Sequence, residues 1–369
     1  MEAIRFTLGA DADIRPVPGA VLLFCGNEQQ QIHELNESGA RLADRLRDGA
    51  TRDELVAELT NGGMDPATAA AWAEGFLNNL AAVGALESVF VGDRTCAATE
   101  VISVAGVAFR LDYQTADLSA RIHEAYRHLA APKSAAVRHQ FSLYAEDDFV
   151  FIRRDGGAAR VVETSTAAVV LKGMILEQVL DEGEQLAALH AACLVRGDRA
   201  TLLLGSPGAG KTTFALELMS RGFRYAADDV TLVLPGGAVC GVPLAPGLKE
   251  GSWQLAERLG WETAARPTHL RPDGQQVRFM PLAPPDVDAG SQAVGTVLML
   301  RRAEGAEPSL HPVDASAALS ELFRESRSRT CKCTPQIFRS LVDIVAAARC
   351  FELEYSESAA AAALVAASC

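Results

Sequence analysis

A chain of 369 residues with 49% hydrophobic side chains carries enough apolar material for two or three packed cores, which excludes a chain disordered throughout. Its formal net charge of −13 argues against nucleic acid as a partner, because phosphate-backbone binding needs clustered lysine and arginine and no basic helix face is present. The polar opening Met1-Glu2-Ala3-Ile4-Arg5 and the lack of any run of about 18 apolar residues give a cytoplasmic protein without a membrane partner as the expectation, its eight cysteines mostly free thiols.

The first elements lie between Ala20 and Glu87. Two apolar runs, Val21-Leu22-Leu23-Phe24 and Gln31-Ile32-His33-Glu34-Leu35, read as short strands, and three helical patterns follow. Asn36-Glu37-Ser38 opens the first helix and Gly49 stops it. Thr51-Arg52-Asp53-Glu54 is a capping box for the second, with Leu55, Val56 and Leu59 on one face. Asp65-Pro66 opens the third, in which Trp72, Phe76, Leu77, Leu80 and Val83 recur at helical spacing before Gly84. The pattern predicts a small winged-helix-like unit over residues 1–88.

The order Leu35-Asn36-Glu37-Ser38-Gly39-Ala40, then Asp48-Gly49-Ala50-Thr51-Arg52-Asp53-Glu54-Leu55, resembles the PqqD family of peptide-binding chaperones, the RiPP recognition elements. The resemblance implies that a leader peptide adds as an extra strand to the sheet edge and packs against a helix, main-chain pairing giving affinity and side-chain pockets giving choice. Candidate contacts are Ile32 and Leu35 on the edge and Trp72 and Phe76 on the helix; the alternative is that all four fill the small core.

A linker is expected over residues 89–100, in the stretch of small and polar residues from Ser88 to Glu100. From 101 to 185 the expectation is an accessory set of strands (Val101 to Arg110, Phe141 to Tyr144, Phe149 to Arg153) with one helix near Leu118 to Leu129, to which the sequence assigns no chemistry.

Residues 186–369 hold the most specific motif. Gly205-Ser206-Pro207-Gly208-Ala209-Gly210-Lys211-Thr212-Thr213 fits the phosphate-binding pattern GxxxxGK followed by Ser or Thr; Thr201 to Leu204 before it reads as a buried parallel strand, and Phe214 to Met219 after it as helix. Polyphosphate needs a concave ring of backbone N–H groups, which the three glycines permit by taking positive φ. Lys211 is the candidate contact to the β and γ phosphates and Thr212 a candidate ligand to magnesium, so ATP and Mg2+ are the expected cofactors. After the helix, Arg221-Gly222 is a stop and Phe223-Arg224-Tyr225-Ala226-Ala227 leads to Asp228-Asp229, with Val230 to Leu234 extended beyond. Strand carboxyl ends line the ligand crevice of an α/β sheet, so one aspartate is placed to hold metal and the other to accept a hydroxyl proton. The alternative is a plain turn between two hairpin strands.

The phosphate loop, the helix ending in Arg-Gly and the Ala-Asp-Asp triplet resemble HPr kinase/phosphorylase and its relatives. That family places a histidine just upstream of the loop strand, and His190 in Leu189-His190-Ala191-Ala192-Cys193 stands at the matching distance. The resemblance implies an α/β, P-loop HPr kinase-like domain over 101–369, with Asp229 as proton acceptor, His190 near the transferred phosphate, Asp228 and Thr212 at the metal, and Lys211 on phosphate. The Arg-Gly-Leu-Gly motif of the bifunctional enzymes is missing. In its place stands Pro243-Leu244-Ala245-Pro246-Gly247-Leu248-Lys249, similar to the Pro-rich stretch of HPr-kinase-related proteins from peptide biosynthesis clusters, so phosphorolysis and the HPr substrate are not carried over. Lys249 and, more weakly, Arg278 are candidates to neutralise phosphate charge.

Cys331 and Cys333, with Cys350 and Cys369 beyond, lack zinc-site spacing and a nearby histidine. The alanine-rich stretch from Ser358 to Ala367 predicts a helix capping the core. Three functions are compatible with these readings: an ATP-dependent kinase acting on a Ser or Thr hydroxyl of a captured precursor peptide, a nucleotide-switched peptide carrier without transfer, or a small-molecule hydroxyl kinase. A homo-oligomer stays open.

Overall fold

Three polar residues start the first three helices by the same device. Asn36 Oδ1 accepts from the Gly39 N–H at 2.8 Å ahead of Glu37–Arg47, and Thr51 and Glu54 form the reciprocal capping box ahead of Arg52–Asn61. Asp65 accepts from Thr68, with Pro66 at the first position of Pro66–Ala82. Gly49 and Gly84 take φ of +80° and +69° where the first and third helices turn away. In the computed structural model the described residues are 4–26, 30–89, 95–280, 282–328 and 333–368. They form a mixed α/β protein.

The strands Ala12–Val17, Ala20–Cys25 and Gln31–Leu35 make a three-stranded antiparallel sheet, the last of them at its edge. A second sheet of seven strands crosses the expected linker. Arg5–Leu8 and Leu86–Val89 from the first ninety residues continue into Ala159–Glu163, Phe149–Arg154, His139–Glu146, Val107–Tyr113 and Ala98–Val104. Val89 and Ala98 to Glu100 therefore belong to strands rather than to a connecting tether. One core spans the join as well, since Phe149, Phe151, Ala159 and Val161 pack with Phe6, Leu42, Leu55 and Leu77. The expected single strand from Val101 to Arg110 is a hairpin turned at Ala105-Gly106, both with positive φ. Within 101–185 the strand Ala159–Glu163 and the long helix Ala167–Glu182, whose apolar residues cover the accessory sheet, were not foreseen, and in the first ninety residues neither were Arg5–Leu8, Ala12–Val17 and Leu86–Val89.

The remaining chain builds a ten-stranded sheet around three parallel strands, Arg199–Leu204, Ser291–Arg302 and Arg349–Tyr355. Arg199–Leu204 is buried on both faces, which is why Leu202-Leu203-Leu204 reads as a continuous apolar run. Helices Lys211–Met219 and Ser358–Ser368 cover one face; Ala315–Glu325 and Pro335–Ala347 cover the other. The result is three layers, with helices outside a mixed sheet. No helix among the described residues is long and apolar enough to cross a membrane.

Candidate functional site: one rim of the mixed sheet

Strand register decides which residues meet. Arg224–Ala227 and Arg199–Leu204 both pair antiparallel with Ala192–Arg196, so they run in the same direction, and Cys193 faces Leu202 on one side and Ala227 on the other. Asp228 leaves its strand one residue past that level and Gly205 three residues past it, both on the same rim of the sheet. His190 reaches that rim from the preceding strand, Ala187–His190, where it pairs with Val230. The two aspartates are not the tip of a hairpin, because four strands separate Arg224–Ala227 from Val230–Val233 in the sheet order. The sheet curls enough to bring the two back together: a side chain at Gly241 would collide with the Ala226 carbonyl.

The loop itself has the predicted shape. Gly205, Gly208 and Gly210 take φ of +154°, +87° and +91°. A Cβ at Gly205 would sit 3.0 Å from Ala209 Cβ and 3.3 Å from the Leu300 carbonyl, so only glycine closes the turn. Ser206, Pro207 and Gly208 are exposed, while Lys211 is buried and donates to the Gly205 carbonyl at 2.7 Å. The first intrahelical bond of Lys211–Met219 runs from the Phe214 N–H to the Gly210 carbonyl, which leaves the amides of Lys211, Thr212 and Thr213 as the orphan donors of a helix start. Thr212 is partly exposed beside them, and Thr213 Oγ1 lies 2.9 Å from Ser252 Oγ, joining this helix to Glu250–Arg258. Tyr355, from the third parallel strand, donates to the Ala209 carbonyl at 3.3 Å and stands over Phe214 at 5.5 Å. The motif alone gave no sign of that brace.

The two carboxylates differ in their surroundings. Asp229 is exposed. Asp228 is 3% exposed, and burial pushes its carboxyl up to about 6; the Asp229 charge adds to that, while Lys172 and Tyr225 oppose it. The Tyr225 hydroxyl lies 3.0 Å from Asp228 Oδ1 and 2.7 Å from the Leu244 carbonyl, two acceptors for its one proton. Lys172, delivered by Ala167–Glu182, sits 4.0 Å from Asp228 Oδ1 and donates to the Ala245 carbonyl at 3.0 Å. The accessory layer thus supplies a charge to the rim, although the sequence reading gave that layer no chemistry.

His190 is partly exposed and Glu325 Oε2 is 3.0 Å from its Nδ1. Electrostatics ties these groups to the loop. Burial pulls the Lys211 ammonium below its ordinary value, the charges of Glu325, Asp229 and Asp228 push it back, and Lys249 adds to the lowering. Lys249 is exposed at the end of the strand Gly247–Lys249 and stands at the N-terminal boundary of Glu250–Arg258 without a side-chain cap bond. Arg278 is otherwise engaged: its guanidinium stacks 3.8 Å over the Trp253 ring and donates to Thr268 and to the Thr263 carbonyl. It braces the Pro-rich segment from behind rather than presenting a free charge.

At the other end of the molecule, Gln31–Leu35 pairs only with Ala20–Cys25 among the described residues. Ile32 and Leu35 point to opposite faces, as their odd spacing requires. Ile32 is 67% exposed and lies opposite Phe24, itself exposed, whereas Leu35 packs inward, close to Phe76 around Gly39. Phe76 is buried and stacks on the partly exposed Trp72 at 5.8 Å. Of the four expected contacts, Ile32 and Trp72 face outward enough to meet a partner, and Phe24 joins them.

Cys193 and Cys350 are buried and Cys333 is exposed, all as free thiols; Cys331 and Cys369 lie outside the described residues. No group of three metal-ligating side chains occurs among the described residues. The sequence matches no protein-family model and no curated protein.

Proposed function

We propose that the protein is an ATP-dependent kinase of the HPr kinase-like P-loop type, transferring phosphate to a Ser or Thr hydroxyl of a peptide captured by its PqqD-like first unit. The observation that carries this reading is the convergence of the glycine loop, His190 and the Asp228-Asp229 pair on one rim, with three carboxylates acting on Lys211. A bare glycine turn would need none of those partners.

The donor set fits a magnesium nucleotide. The loop offers orphan amides at a helix start and a Lys211 ammonium that can exchange the Gly205 carbonyl for a phosphate oxygen. Thr212 and Asp228 offer the oxygens that a hard cation prefers. Bound there, the metal nucleotide supplies the phosphoryl group and neutralises its charge. Asp229, exposed at the rim, accepts the hydroxyl proton, and Lys249 offsets charge at the far side of the loop. His190 stands beside Val230 to position the acceptor.

The edge strand Gln31–Leu35 supports the peptide half of the reading. An edge strand with one strand neighbour among the described residues and an outward Phe24–Ile32 patch suits strand addition by an extended peptide. Work on ribosomally made precursor peptides, in the cytoplasm, follows from that pairing of units.

Asp229→Asn provides the test. With ATP, magnesium and a precursor peptide, mass spectrometry is expected to show one added phosphate for the wild type and a loss of about 10²-fold or more for the variant, with ATP binding retained. A variant that transfers normally overturns the assignment of Asp229 as base. ADP release without any change in the peptide points to a switched carrier or a small-molecule kinase.

A further inference from the structure

We infer that Glu325 is the positioning residue of this rim: its carboxylate holds the His190 ring with the proton on Nδ1 and leaves Nε2 as the free lone pair toward the reacting alcohol. The inference rests on the kinase reading for its consequence, but not for the ring geometry.

The pairing is written into the backbone. Helix Ala315–Glu325 ends at Glu325, and the next two residues, Ser326–Arg327, pair antiparallel with Leu189 and Ala188. Extending that register by one places Glu325 directly across from His190, whose other neighbour is Val230, next to Asp229. The histidine therefore has Glu325 across from it on one side and Val230, the residue after Asp229, on the other. Glu325 Oε2 accepts at 3.0 Å from Nδ1, and its Oε1 lies 3.6 Å from Arg324 Nε. The Glu325 side chain is 12% exposed against 41% for His190, so the acid is the fixed partner and the ring reaches outward from it.

An ionised carboxylate only accepts, so the nitrogen it meets must carry the proton. In a neutral ring that leaves Nε2 unprotonated, and no partner is recorded for Nε2 among the described residues. Glu325 also leads the carboxylates that support the Lys211 charge, which sets it against the loop as well as against the ring. One residue from the far helix thus fixes the tautomer of the histidine and the field at the lysine.

Nitrogen-15 histidine spectra of the full chain at about pH 8, where an ordinary imidazole is neutral, read the ring directly. The wild type is expected to show a protonated Nδ1 and an unprotonated Nε2 for His190, and Glu325→Gln to lose that preference with its melting temperature kept. A proton on Nε2 in the wild type overturns the inference whether or not the protein transfers phosphate. In the peptide transfer assay, Glu325→Gln should lower kcat by roughly tenfold to a hundredfold with the KM for ATP unchanged, a part of what acid–base groups supply. Glu325→Asp should recover part of the loss, and the Glu325→Gln, His190→Ala double variant should be no slower than His190→Ala alone. Losses that multiply in the double variant show that Glu325 does not act through the ring. A wild type with the expected tautomer and no transfer to peptide refutes the kinase reading and leaves the Glu325 assignment standing.

Discussion

The two ends of this molecule prepare for a partner in opposite ways. The glycine-loop rim draws charged or polar side chains from strands, helices and loops far apart in the chain, and most are held by another group: Lys211 by Gly205, Asp228 by Tyr225 and Lys172, His190 by Glu325. Among the described residues the edge strand Gln31–Leu35 has a single neighbouring strand, and it carries an apolar patch, with its own backbone as the main offering. Fixed side-chain geometry selects one chemical group, whereas an unpaired backbone edge accepts many sequences and leaves choice to one or two pockets. The contrast predicts that single substitutions should be severe at the rim and graded at the edge.

Lys211→Met should test the severe side most directly. It removes the buried ammonium, and transfer is expected to fall by about 10²-fold or more, read as product formed under saturating peptide. An unchanged rate would mean that the rim is not where phosphate is handled.

Asp228→Asn probes what the buried arrangement costs. Its carboxyl is raised by burial to about 6, so the folded state holds a proton that the unfolded chain has already released, and stability falls as pH rises from the ordinary carboxylate value through about 6. The asparagine variant should therefore be more stable than wild type by roughly 2 kcal/mol above pH 7 in the absence of magnesium, with the gain vanishing near pH 4. Denaturant melts at the two pH values check this. A variant less stable at neutral pH would show that the Lys172 attraction outweighs desolvation.

At the edge, Ile32→Asp should weaken binding of an extended peptide by about tenfold, roughly 1.4 kcal/mol, and leave ATP affinity untouched. Titration with a fluorescent peptide separates the two. Arg278→Ala should have the smallest consequence: loss of the stack on Trp253 lowers stability by about 1 kcal/mol while transfer is kept. A large drop in transfer would return Arg278 to the phosphate end.

The local parts of this architecture were legible in the residues. Caps at Asn36, Thr51 and Asp65 and the glycine loop are short-range signals, and helix starts and tight turns depend on neighbours in sequence. Glu325, Lys172 and Tyr355 carried no such signal. Each reaches the rim through strand pairing or helix packing across a long stretch of chain, and a carboxylate at a helix end looks the same whether or not a histidine waits opposite it. The shared seven-stranded sheet escaped notice for a similar reason, since a run of small residues between strands reads as a tether until the pairing partner is known. The edge contacts were a different case. Ile32 and Leu35 were both expected at the edge although strand parity puts them on opposite faces, and the helical stripe with Trp72 and Phe76 said only that they share a face.

The Tyr355 hydroxyl on the Ala209 carbonyl spans 146 positions. A chain emerging from the ribosome therefore exposes its glycine turn long before the strand that steadies it has been made, and the parallel neighbour Ser291–Arg302 also comes later. The glycine turn is thereby completed only after the edge strand Gln31–Leu35 and its neighbours, built from earlier residues, have been made.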